Sequence, residues 1–181
     1  MSSKAYAQTI VVLTLALTDA AMAGLALFAA YWARLWIPWP NEAQNVGRFF
    51  DYAGVSAIHI LSILVVFAFS RLYHLARSRS RVDEFSSIFT ATTLGTLVGV
   101  AMTSLALKNS PLELDYSRGI VGYGWAFTIV FVTAGRLAHG YVYARLRKRG
   151  WGRDRVLIVG ANEVGRMIVQ KIQSNPGLGY E

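Results

Sequence analysis

Three ionisable side chains lie inside runs that otherwise carry no charge. Asp19 interrupts the apolar run from about Ile10 to Ala33, His59 sits between Asp51 and Arg71, and Arg136 closes the uncharged stretch that follows Arg118. A lone charge at such a place is costly in hydrocarbon, so these residues must face a partner or a polar cavity. Asp19 is about ten residues from the inner end of its run and Arg136 about nine from the inner end of its own, so both sit roughly 14 Å deep at helical rise. Opposite sign at matching depth makes an Asp19–Arg136 ion pair the expected arrangement. A polar ligand or lipid site is the alternative. His59 lies at a similar depth.

A second constellation lies near the C-terminal end. Arg155-Val-Leu-Ile-Val-Gly160-Ala-Asn162-Glu-Val-Gly165 has a short β-branched run, then glycines at dinucleotide-loop spacing, then apolar positions Val164, Met167, Ile168 and Ile172 at helical spacing. Gly160, Asn162 and Gly165 are the candidate cofactor-binding residues. Asn162 stands where the pattern has its middle glycine, the residue that lets a pyrophosphate approach the backbone. The acid that would hold a ribose about 20 residues on falls at or beyond Glu181. A purely structural strand–helix turn is the other reading. Asn175-Pro-Gly ends the helix. One β-α unit cannot bury its own faces, so the chain reads as part of a longer protein.

Two glycine patterns complete the inventory. Gly95 and Gly99 form a GxxxG, which lets membrane helices approach closely, either within the chain or between two copies. Val121-Gly-Tyr-Gly124 resembles a potassium-selectivity filter, but too few residues follow for a filter, an exit loop and an inner helix together.

The elements that must position these residues are membrane spans. The chain has 181 residues, 54% of them hydrophobic and only 15% charged, with mean hydropathy +0.39. A soluble domain is about one quarter charged. Four runs, about 10–33, 51–71, 85–107 and 119–143, are each long enough to cross a bilayer at about 20 residues per helix. Helices are required there, since lipid offers open backbone groups no partner. A cleaved signal peptide ending near Ala21-Met-Ala23 fits poorly, because the apolar run continues past that point and Asp19 interrupts it. The expected organisation is a four-span transmembrane domain, 1–149, followed by the start of an incomplete Rossmann-like domain, 150–181. In fold class this is an all-α membrane four-helix bundle followed by the first β-α unit of a truncated α/β domain.

Charge sets the orientation. Arg71, Arg77, Arg79 and Arg81 lie between spans two and three, and Arg145, Arg147, Lys148, Arg149, Arg153 and Arg155 follow span four. The other two loops are sparse in Arg and Lys, which places both termini in the cytoplasm. Trp36 and Trp39 then mark the outer interface. Net charge is +8, but the basic residues flank apolar runs, which points to anionic headgroups and away from nucleic acid. Asp83 and Glu84 suit the first turn of span three. The absence of cysteine excludes disulfides and thiolate metal sites, and three histidines without ligand spacing make no metal centre.

In order and spacing, Asp19, Arg71-Leu-Tyr73, Ser80-Arg81-Val-Asp83-Glu84, Asp115-Tyr-Ser-Arg118, Gly135-Arg136, Arg155-Val-Leu-Ile-Val-Gly160 and Asn175-Pro-Gly-Leu-Gly-Tyr180 resemble the bacterial polyprenyl-phosphate sugar-1-phosphate transferases. The resemblance implies four N-terminal spans in the bacterial inner membrane, a Rossmann-like domain and a later catalytic domain. That domain would use Mg²⁺ to move a sugar-1-phosphate from a nucleotide sugar to undecaprenyl phosphate in exopolysaccharide or O-antigen synthesis. It implies a non-catalytic anchoring and regulatory role for these 181 residues, with membrane lipid and polyprenyl phosphate as partners and a homo-oligomer as a possible assembly. No catalytic residue or metal ligand is carried over, since nothing here matches the catalytic domain; Asp83-Glu84 is in the wrong module. A membrane-anchored nucleotide-sugar 4,6-dehydratase or epimerase would share the same four spans. It should add a second glycine loop and a Tyr-x-x-x-Lys pair, and neither occurs in this sequence. A channel subunit with a Rossmann regulatory domain is a third reading.

Overall fold

The structure is a computed structural model, and it describes residues 3–37, 39, 47–73, 80–106, 118–148 and 162–174. Five helices occur among these residues: α1 (Ser3–Trp36), α2 (Ala53–Phe69), α3 (Arg81–Ala106), α4 (Arg118–Lys148) and α5 (Glu163–Ser174). A 3₁₀ turn, Phe49–Tyr52, leads directly into α2. No strand is present among the described residues. The β-strand expected at 156–159 and the Gly160 that follows it lie outside them, as do 74–79 and the basic residues Arg149, Arg153 and Arg155.

Four of the helical segments, Thr9–Trp36, Phe49–Phe69, Arg81–Ala106 and Gly119–Leu146, are long and apolar enough to cross a membrane. Their surfaces agree with that. Leu17, Leu61, Leu97 and Leu105 are 70%, 63%, 63% and 79% exposed. Leucines left in this state along three helices would be unfavourable in water, and hydrocarbon is the solvent that removes the cost. The chain is built as a multi-pass membrane protein. Helices α1, α3 and α4 each run about one turn or more beyond the expected run at one end, because a helix continues through its interfacial residues where the apolar count stops, whereas α2 falls within the expected 51–71, which also takes in part of the 3₁₀ turn before it and the turn after it.

The chain divides into two compact units, Val12–Arg136 and Met1–Val11 with Leu137–Glu181. In the first, the four helices pack as an antiparallel bundle around Ile63, Phe67, Leu72, Ile88, Ala91 and Val132. The helices touch where side chains are small. A Cβ on Gly95 would stand 2.9 Å from the Ile63 Cα, and one on Gly99 would stand 3.0 Å from the His59 Nδ1. The GxxxG of α3 is therefore filled by α2 of the same chain, which removes it as a face for a second copy. Ala23, Ala26 and Ala30 are the fully buried stripe of α1. Small residues serve this purpose in lipid, where close van der Waals contact replaces the hydrophobic force. Val121 to Gly124, the filter-like tetrapeptide, lies within the continuous helix α4 and has no extended backbone.

The second unit contains α5. Asn162 caps it: its Oδ1 accepts the Gly165 N–H at 3.0 Å, and its carbonyl accepts the Arg166 N–H at 3.1 Å. Glu163 occupies the first turn, where the helix dipole favours an acid. Val164, Met167 and Ile168 are exposed on its apolar face.

Candidate functional site: a buried arginine clasp

The Arg136 guanidinium, carried by α4, is held by groups from α1, from α2 and from the turn that follows α2. Its Nε donates to Asp19 Oδ1 at 3.0 Å and its Nη2 to Asp19 Oδ2 at 2.6 Å. This is the bidentate arrangement that a planar guanidinium and a carboxylate form best. Nη1 donates to the Leu72 carbonyl at 3.3 Å. The guanidinium carbon lies 5.2 Å from the centre of the Phe67 ring and 5.6 Å from that of Tyr73, so two aromatic faces flank the cation. Asp19 is 1% exposed and Arg136 6%.

Local sequence explains how each group reaches this place. Gly135 precedes Arg136, and a Cβ there would fall 2.6 Å from Met22 Cγ and 3.3 Å from Thr18 Cγ2. The absent side chain lets α4 lie against α1 one residue from the charge, and that closeness brings the carboxylate within reach of the guanidinium. The carbonyl comes from the end of α2. There the Leu72 N–H donates to the Phe67 carbonyl at 3.1 Å and the Arg71 N–H to the Ala68 carbonyl at 3.2 Å. These are the two reversed bonds of a Schellman ending, whose turning residue is left-handed and is usually glycine. Here it is Arg71, at φ 53°. The expected apolar contact of the motif is present, since Phe67 and Leu72 belong to one core cluster. The turn leaves the Leu72 carbonyl unused by the helix, and Arg136 takes it.

Tyr73 follows directly. Burial raises its phenol above the ordinary range, and the Asp19 carboxylate adds to the effect, so the group stays neutral beside the pair.

Of the residues singled out by sequence, Asp19 and Arg136 are brought together. His59 is 8% exposed and packs on Gly99 in the α2–α3 seam. Asn162 and Gly165 are joined by the capping bond of α5. The asparagine that breaks the dinucleotide pattern thus has a structural task, and its side-chain oxygen is engaged with the backbone. Sequence reasoning missed the Leu72 carbonyl, the two aromatic faces and the close approach at Gly135. Only Gly135, directly before a buried charge, left a signal that could have been read. It also missed Arg34, near the other end of α1, which is only 4% exposed. No group of three or more His, Asp or Glu residues able to hold a metal occurs among the described residues.

The clasp neutralises its own charge. A carboxylate and a carbonyl already occupy the guanidinium, and its flat faces are covered. Such an arrangement holds helices in register and offers little to a reacting substrate. In comparisons with protein-family models, with characterised proteins and with solved structures, the chain matches none.

Proposed function

We propose that this chain is the non-catalytic membrane-anchoring and regulatory part of a polyprenyl-phosphate glycosylphosphotransferase. Such an enzyme transfers a sugar-1-phosphate from a nucleotide sugar to undecaprenyl phosphate. The observation that carries the reading is the position of the charged groups. The described buried ion pair is internally satisfied and clamps the bundle, while basic residues such as Arg71, Arg81 and Arg145 are exposed at helix ends. That division suits an anchor standing among anionic headgroups more than a site for chemistry. The order of motifs from Asp19 to Tyr180 supplies the identity of the enzyme. In this reading both termini are cytoplasmic, and residues 150–181 begin a Rossmann-like domain whose first helix is α5. The Mg²⁺ and the catalytic carboxylates belong to a later domain.

The test uses membranes from cells producing either these 181 residues or the whole reading frame, supplied with nucleotide sugars and undecaprenyl phosphate. Release of nucleoside monophosphate with the whole frame, and none above background with the 181 residues, is the expected result. Release with the 181 residues alone would overturn the anchoring role. A 4-keto sugar product, or no transfer from the whole frame, would overturn the assignment to this enzyme class.

A further inference from the structure

We propose that the α2–α3 seam is a binding site for water inside the bilayer, formed by His59, Thr92 and Thr96. Threonine in a membrane helix normally satisfies its own O–H by donating to the carbonyl four residues earlier. Thr93 does so on the Phe89 carbonyl and Thr103 on the Gly99 carbonyl, each at 2.8 Å. Thr92 and Thr96 belong to the same helix and do not. Their Oγ1 atoms are fully buried and have no hydrogen-bond partner among the described residues, and neither has His59 Nε2. Thr92 is 0% exposed, Thr96 6% and His59 8%, so lipid headgroups and bulk water do not reach them.

These groups lie along one interface. Gly95 faces Ile63 and Gly99 faces His59, which fixes the antiparallel register of α2 against α3. Thr92, Gly95, Thr96 and Gly99 share the buried face of α3. Thr96 precedes Gly99 by three residues, about 4.5 Å along the axis, and Thr92 lies one further turn away. Ser62, also buried, comes level with Thr96 in that register. An imidazole nitrogen and two hydroxyls, each lacking a partner and each within a turn of the next, make the polar lining that a buried water requires. Each would otherwise be left unsatisfied, which burial makes costly. The imidazole supplies an acceptor or a donor through Nε2, and each hydroxyl supplies both, so two waters, one between His59 and Thr96 and one between Thr96 and Thr92, can serve all three.

The test is water-edited solid-state NMR of the whole chain in lipid bilayers, with ¹⁵N-labelled histidine and ¹³C-labelled threonine. Polarisation should pass from water to the His59 ring and to Thr92 and Thr96 at a rate comparable with exposed Ser80, while Ile63 and Ala91 beside them stay dark. The near-isosteric Thr96→Val, which keeps the packing, should reduce the His59 signal several-fold. The proposal is overturned if His59 and Thr96 gain polarisation no faster than Ile63, or if Thr96→Val leaves the His59 signal unchanged. Should Thr96→Val fail to give folded protein, the wild-type comparison of His59 with Ile63 decides alone.

Discussion

At the scale of single residues, the central fact is a buried arginine that gives three N–H bonds to the Asp19 carboxylate and the Leu72 carbonyl. In lipid the reference state for a broken pair is a bare charge, so the two halves of the clasp should not behave as independent contacts. Asp19→Asn leaves the guanidinium buried without its counter-charge and should lower stability by about 3–5 kcal/mol, read by unfolding in mixed micelles. Asp19→Leu combined with Arg136→Leu removes both charges and should cost clearly less than the single change; an equal or larger loss would show that packing, and not charge, governs the site. Arg71 makes the opposite prediction. It holds φ 53°, where a side chain is strained by roughly 1–2 kcal/mol and glycine is not. Arg71→Gly should therefore stabilise the fold by about 1 kcal/mol in the same assay. If Arg71 is retained for the headgroups it faces in the proposed function, that variant should also bind anionic vesicles less tightly. The Asp19–Arg136 pair was legible in the sequence because charge in a hydrophobic run demands a partner and depth selects it. The Leu72 carbonyl was not legible, since it depends on a left-handed arginine that no propensity favours.

At the scale of helices, the bundle is assembled by what its residues lack. Gly95 and Gly99 admit α2, and Gly135 admits α1. A GxxxG in sequence is neutral between packing within a chain and packing between chains; only the register with Ile63 and His59 decides it. Gly95→Leu must push against a backbone carbon at 2.9 Å, where no side chain can rotate away, and should destabilise by about 1–3 kcal/mol. Cross-linking in membranes should show the same oligomeric state before and after, because that glycine faces its own chain. Helix α5 illustrates the limit of motif reading. Asn162 looked like a defect in a dinucleotide loop, yet it satisfies the Gly165 amide at the start of the helix. Cap and cofactor loop place similar residues at similar spacing, so the pattern alone could not separate them. Asn162→Ala should lower helix content in this segment at a cost of about 1 kcal/mol, seen as faster amide exchange at Gly165 and Arg166.

At the scale of the whole molecule, fold class was the easiest property to read. Hydrocarbon imposes a length and an apolar composition that no soluble helix of this sequence needs, and the four runs announce themselves. Orientation is a different kind of claim, because a bundle has the same internal contacts either way up. It rests on the arginines between spans two and three and after span four, where a membrane potential and anionic lipid both favour the cytoplasmic side. The chain contains no cysteine, so single cysteines can report sidedness without a background. Ser80→Cys, at the exposed start of α3, should react with a membrane-impermeant maleimide only after cells are opened. Arg48→Cys, exposed before the 3₁₀ turn, should react in intact cells whose outer layer has been made permeable. The span α2 separates the two sites along the chain, so a correctly inserted bundle must label them from opposite sides. The reverse pattern would turn the exposed Arg71 and Arg81 away from the cytoplasmic headgroups, and the anchoring role proposed here could not survive it.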